Sequence, residues 1–142
     1  MSRVLVALQF ALIGALAWPA PDDTRRSAAA LALLGVAILV GVAALAANRP
    51  GNFNIRPDVK PGAKLATSGP YRYVRHPMYV AVILFGLACV ASGATPRRIA
   101  ALAALAAVLH VKALREERAM RAAHAGYDAY CARTARYLPG VF

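Results

Sequence analysis

Charge is scarce in this sequence, and negative charge scarcer still. Only 16% of its 142 residues are charged, with six Asp or Glu against seventeen Lys or Arg, while 60% are hydrophobic. A soluble domain of this length has no core large enough to hide so much apolar side chain. That class is excluded, and a membrane-embedded protein is expected. Cysteine is nearly absent: Cys89 lies in an apolar run and Cys131 in a charged tail, which excludes a disulfide scaffold. No cysteine or histidine pair has metal-ligand spacing. His110 and His124 each stand alone, and no metal is expected. Also missing is the glycine-rich strand–turn–helix of soluble nucleotide-binding proteins. The net charge of +11 would suit nucleic acid, but the bases fall between apolar runs rather than along one stripe. No nucleic-acid partner follows.

What is present is a series of apolar runs. Residues 4–18 are interrupted only by Gln9, a run short for a span because a bilayer core takes about 20 helical residues. Its flanks also fit a secretory signal, but with no soluble domain to export we read a retained first helix. Pro19 and Pro21 stop it. Residues 28–47 carry no charge and form the clearest span, with Gly35 and Gly41 allowing a neighbouring helix to approach closely. Residues 48–68 contain Pro50, Gly51, Pro57, Pro61 and Gly62, which rules out a helix. Phe53, Ile55, Val59 and Leu65 give this stretch apolar anchors, so it is expected to fold over a site, making 48–76 a cofactor loop.

Residues 77–95 and 99–114 are the third and fourth runs, joined by a tight turn at Pro96-Arg97-Arg98. Pro77 falls in a first helical turn, where its missing N–H costs nothing. In residues 115–142 charges alternate with Met120, Tyr127 and Tyr130. We expect an interfacial amphipathic helix running to Leu138-Pro139-Gly140. The expected fold is therefore all-α: one polytopic membrane domain over 1–142, with about four transmembrane helices and a C-terminal interfacial helix. Arg3 and the bases of the long loop and tail would share one side, leaving Arg25, Arg26, Arg97 and Arg98 on the other. The positive-inside rule then puts both termini, and the loop with them, in the cytoplasm. The Ala/Arg-rich composition points to a bacterial inner membrane.

Two polar clusters break the apolar pattern. The first is Gly69-Pro70-Tyr71-Arg72-Tyr73-Val74-Arg75-His76-Pro77-Met78-Tyr79, directly before the third run; the second is Arg115-Glu116-Glu117, directly after the fourth. Polar groups this dense at the mouth of a hydrophobic segment are costly unless they bind something. Helical spacing puts His76 and Tyr79 on one face, and Lys112 and Glu116 on another. Tyrosines and arginines at a membrane boundary are also common as mere anchors. Tyr73, Tyr137, Arg72 and Arg98 are read that way.

Gly-Pro-Tyr-Arg-Tyr-Val-Arg-His-Pro-x-Tyr, followed by Glu-Glu and then Tyr127-x-x-Tyr130, resembles the isoprenylcysteine carboxyl methyltransferase family and its phospholipid-methylating relatives. The resemblance runs from about Arg49 to Phe142. It implies a membrane-embedded enzyme that transfers a methyl group from S-adenosylmethionine to a membrane lipid or another lipophilic small molecule. On that resemblance His76, Pro77, Met78 and Tyr79 line the cofactor, with Tyr71 before them and Lys64, Leu65 and Ala66 in a loop that closes on it. Glu116 reaches the cofactor from the other side of the pocket. A sulfonium needs an aromatic or anionic neighbour, and the cofactor's ammonium, hydroxyls and carboxylate need acceptors and a cation; the tyrosines, Glu116, Glu117, His76 and Arg75 supply these types. Glu116 and Arg75 are the candidate catalytic pair. Where the family has a substrate-facing arginine this chain has Lys112, which keeps the charge but loses the two-pronged fork. Two other classes fit less well: a four-helix transporter or assembly protein without chemistry, and a sterol-type reductase using a nicotinamide cofactor.

Overall fold

A computed structural model describes residues 2–19, 27–48 and 65–141. Its helices are α1 (Ser2–Ala17), α2 (Ala28–Ala47), α3 (Pro77–Ser92), α4 (Pro96–Ala123) and α5 (Tyr127–Cys131), with a 3-10 turn at Gly69–Arg72 before α3. Among the described residues there is no named strand, so the chain is all-α as expected. Local chemistry sets the starts. The Ser27 side chain accepts from the Ala30 N–H at 3.1 Å, and Thr95 accepts from the Arg98 N–H at 3.2 Å, each capping a first turn. Pro77 and Pro96 open α3 and α4.

Small residues bring the helices together. Ala30, Ala37 and Ala44 are the buried stripe of α2, which packs along α3. At Gly86 a Cβ would stand 2.6 Å from Leu102 Cδ1, so glycine there lets α4 close onto α3. Leu16, Tyr79, Leu105, Leu109 and Ala113 form the core between α1, α3 and α4. Outward, Leu31, Ile38, Leu39, Val42 and Leu45 of α2 are exposed apolar residues, a surface suited to lipid rather than water. Among the described residues α2 alone is long and apolar enough to cross a membrane by length and composition. α1 and α3 are apolar but shorter.

The third helix ends at Ser92 rather than 95, with Gly93 beyond it. The fourth neither starts at 99 nor stops at 114: Pro96-Arg97-Arg98 are the first turn of α4 rather than a separate turn, and α4 continues to Ala123, because Glu, Arg, Ala and Met all favour helix and no Gly or Pro intervenes before Gly126. The expected interfacial helix after it is replaced by the short α5 and a non-helical tail that turns back to the start of α3, where Val74 and Ala135 form a parallel bridge. Most of the long loop, with Lys64, lies outside the described residues. Its end is described and is tightly placed: Gly69 has φ 55°, and a Cβ there would meet Ala47 Cβ at 2.9 Å, so glycine is required where the turn crosses the end of α2.

Candidate active site

The tail builds one wall of the site. The Tyr130 hydroxyl donates to the Tyr71 carbonyl at 2.7 Å, and Thr134 Oγ1 donates to the Tyr130 carbonyl at 2.7 Å. Backbone bonds then zip the tail to the residues before α3. The Arg75 N–H donates to Ala135 O at 2.8 Å, Ala135 N–H to Tyr73 O at 3.0 Å, and His76 N–H to Arg136 O at 3.3 Å. The Arg75 guanidinium reinforces this by donating to the carbonyls of Cys131 and Thr134.

Glu117 lies at the centre, only 1% exposed. Arg136 forks onto both its oxygens at 2.9 Å, and Arg75 Nε and His76 Nε2 each reach Oε1 at 3.2 Å. Burial alone would raise its pKa, but the bonds from His76 and Arg136 outweigh it and hold the carboxyl well below the usual range. His76 is the reciprocal case. Burial would lower its pKa, yet bonds to Glu116 and Glu117 raise it, favouring an imidazolium whose two N–H groups face two carboxylates.

Glu116 is the open member of the acid pair. Its carboxylate is 25% exposed, receives the Tyr79 hydroxyl at 2.5 Å and lies 3.5 Å from His76 Nδ1. The Tyr79 ring stacks on His76 at 5.3 Å, and Tyr137 flanks the same imidazole at 6.0 Å. Burial, with Glu116 nearby, pushes the Tyr71 phenol up to about 12, so it stays a neutral donor.

The structure thus brings Tyr71, Arg75, His76, Tyr79, Glu116 and Glu117 to one end of the bundle. Pro77 is buried beneath them, Met78 packs on the core, and Leu65 and Ala66 are half-buried where the described chain resumes. Lys112 is 2% exposed. Its ammonium lies 5.4 Å from the centre of the Tyr79 ring and donates to Gln9 Oε1 at 2.6 Å. Sequence reasoning passed over Gln9, although a lone amide in an apolar helix is itself a signal. It also passed over Arg136, for which no local signal exists. Tyr73 is exposed as a boundary anchor would be. Tyr137 does more than anchor, since it touches His76 and meets His110 Nδ1 through its hydroxyl at 3.3 Å. Arg98 was misread as an anchor: it is buried and donates to the carbonyls of Cys89, Gly93 and Trp18 at 2.9–3.1 Å.

Arg98 belongs to the far end of α4, about 30 Å from Glu117 at 1.5 Å per residue. An open groove of about 500 Å³ lies there, lined by Gly14, Trp18, Thr95 and Arg97 among others. It shares no residue with the acid cluster. Among the described residues no group of His, Cys, Asp or Glu could hold a metal ion.

Residues 28–122 match the family model for isoprenylcysteine carboxyl methyltransferase (ICMT). The match spans well over half the chain and contains both polar clusters, and the chain belongs to this family of membrane-embedded methyltransferases. A comparison with curated proteins returned no match.

Proposed function

We propose that the chain is a methyltransferase that uses S-adenosylmethionine, binding it at the His76–Glu116 end and passing its methyl group to a lipophilic or amphiphilic acceptor. The observation that carries this reading is the state of Glu116. It is a carboxylate open on one side and gripped by the Tyr79 hydroxyl and His76 on the other, beside aromatic faces. Such a donor set suits a cation rather than a phosphate, and it fits the cofactor's sulfonium and ammonium. Tyr71, Tyr79 and Glu116 would hold these groups, with Leu65, Ala66, Met78 and the undescribed Lys64 closing around the rest. When bound, the cofactor supplies an activated methyl group on sulfur.

The remaining work falls to the chain. Glu116 serves by charge. Arg75 and Glu117 are spent on each other and on the tail, so we assign them to holding the site's shape. Fixing acceptor and methyl group in line is worth about 7–11 kcal/mol, and excluding water adds to that. Lys112, buried and bonded to Gln9 Oε1 at 2.6 Å, would anchor an acidic head group only by exchanging that bond for one to the substrate. We further propose four membrane spans with their apolar faces toward lipid and, from the distribution of Lys and Arg, both termini and the site at the cytoplasmic face of a bacterial inner membrane.

Titration of the purified protein in detergent with S-adenosylhomocysteine and with NADPH tests this reading. Binding of the first alone is expected, whereas binding of NADPH alone would sink it. His76→Ala and Glu116→Ala should abolish cofactor binding, and His110→Ala should preserve it. Lys112→Met should bind cofactor normally but fail in methyl transfer to a membrane lipid extract and to a synthetic prenylcysteine.

A further inference from the structure

The family match ends at residue 122, yet the polar network of the site does not. Arg136 sits fourteen residues beyond it and meets His76 by two routes. Its carbonyl accepts the His76 N–H at 3.3 Å, and its guanidinium takes both oxygens of Glu117, the carboxylate that faces His76 Nε2 at 3.2 Å. On the other side of the imidazole, Nδ1 faces Glu116. An unbroken polar chain therefore runs from the tail through Glu117 and His76 to the acid that is open to the site.

We propose that Arg136 is a positioning residue: its fork onto Glu117 fixes that carboxylate, through it the His76 imidazole, and so the way Glu116 is presented. Glu117 Oε1 alone is shared by Arg75, His76 and Arg136. Without the fork, this carboxylate would be free to turn toward His76 and Arg75. A lysine could replace the charge but not the two parallel bonds. The groups facing His76 are Arg75 from its own segment before α3, Tyr79 from α3, Glu116 and Glu117 from α4, and Arg136 and Tyr137 from the tail. Of these, Arg136 and Arg75 are the cations. Removing Arg136 takes away a repelling charge and leaves more of Glu117 to the imidazolium, so the midpoint of His76 titration must rise.

Loss of the charge alone moves that midpoint in Arg136→Gln, so the variant that keeps the charge and loses the fork, Arg136→Lys, separates positioning from charge. The test is a nitrogen NMR titration of the His76 ring in the full-length protein in detergent, without cofactor. It compares the unaltered protein with Arg136→Gln, Arg136→Lys and Arg133→Gln, Arg133 being an exposed tail arginine bonded to Ala129 O. Arg136→Gln should raise the midpoint by about one pH unit. Arg136→Lys should raise it by less, and Arg133→Gln should leave it in place. An unmoved midpoint in Arg136→Gln overturns the proposal. Arg136→Lys then decides whether the fork matters beyond its charge: a rise supports the proposal and no rise overturns it. The effect on cofactor rests on the methyltransferase reading, and there S-adenosylhomocysteine should bind about tenfold more weakly to Arg136→Gln, with partial rescue in Arg136→Lys. Failure of the unaltered protein to bind that ligand counts against the methyltransferase reading alone, because the His76 midpoint is read without it.

Discussion

At the end of the bundle where α1 and α3 finish, Arg97 and Arg98 donate to backbone carbonyls of Ala15, Trp18, Pro19, Cys89 and Gly93. At the other end, Arg75 and Arg136 converge on the side chain of Glu117. The same residue type solves two different problems. The last carbonyls of a helix lack intrahelical partners, and in a membrane boundary a guanidinium can satisfy several at once while also opposing the helix dipole. Among the described residues nothing ionisable is involved on the acceptor side, so these contacts are fixed in charge. Around Glu117 both partners carry charge: Arg75, Arg136 and the His76 imidazolium face Glu117 and a second, open acid. That end is poised by charge and, among the described residues, presents the partly exposed Glu116 carboxylate to a ligand.

The sharpest way to break this contrast is Glu117→Gln. It keeps the shape of the side chain but leaves Arg75 and Arg136 without their anion in a buried site, which costs about 3–5 kcal/mol. The tail should detach from residues 73–76 and cofactor binding should vanish. Hydrogen exchange would report the first as lost protection of the Arg75, His76 and Ala135 amides. Retained protection would mean that the backbone bridge holds the tail without the ion cluster.

Arg98→Met comes next. The methionine fills the stem's volume but leaves carbonyls of α1 and α3 unmet, and about 2–3 kcal/mol should be lost from the thermal stability in detergent. Binding of S-adenosylhomocysteine by the folded fraction should stay within about twofold, since the lesion lies some 30 Å from the site. A loss of binding as large as that of Glu117→Gln would erase the distinction between the two ends.

How much of this could be read beforehand follows the range of the interactions. The bounds of α2 were legible because an uncharged run between Ser27 and Asn48 states them locally. The pairing of His76 and Tyr79 with Glu116 was legible only through family resemblance, since 37 to 40 residues of chain separate the partners. α4 was cut short because the change from apolar to charged residues at 115 looks like an end, although helix propensity continues unbroken. Arg98 and Arg136 were opaque. One reaches Trp18 across 80 residues, and the other depends on a turn at Gly126 that sends the tail back. The expectation that residues 49–64 fold over the site concerns residues outside those described.

The smallest effect is the most specific to one end, because it depends on titration. The His76 pKa is raised above its ordinary 6.5 in the folded chain, against burial, by its bonds to Glu116 and Glu117. A base whose folded pKa is raised contributes stability that is fully present below the unfolded value and is lost as pH rises through the folded one. Glu117 has the opposite sign: its contribution is present above the ordinary 4.5 and is lost only in strong acid. Above pH 6.5 and well short of 12, Glu117 therefore stays ionised, the arginines stay charged, and Tyr71 and Tyr130, both pushed up to about 12 with burial the main cause, stay neutral. The decline of thermal stability across that window should come from His76. In His76→Gln the curve should flatten, because the amide can still bond to one carboxylate but no longer carries a proton to lose. In Arg98→Met the whole curve should drop while keeping its slope. Melting temperatures of the three proteins across the window decide the matter: a slope that survives in His76→Gln would place the titrating group elsewhere, and a slope that disappears in Arg98→Met would mean that the two ends are not independent.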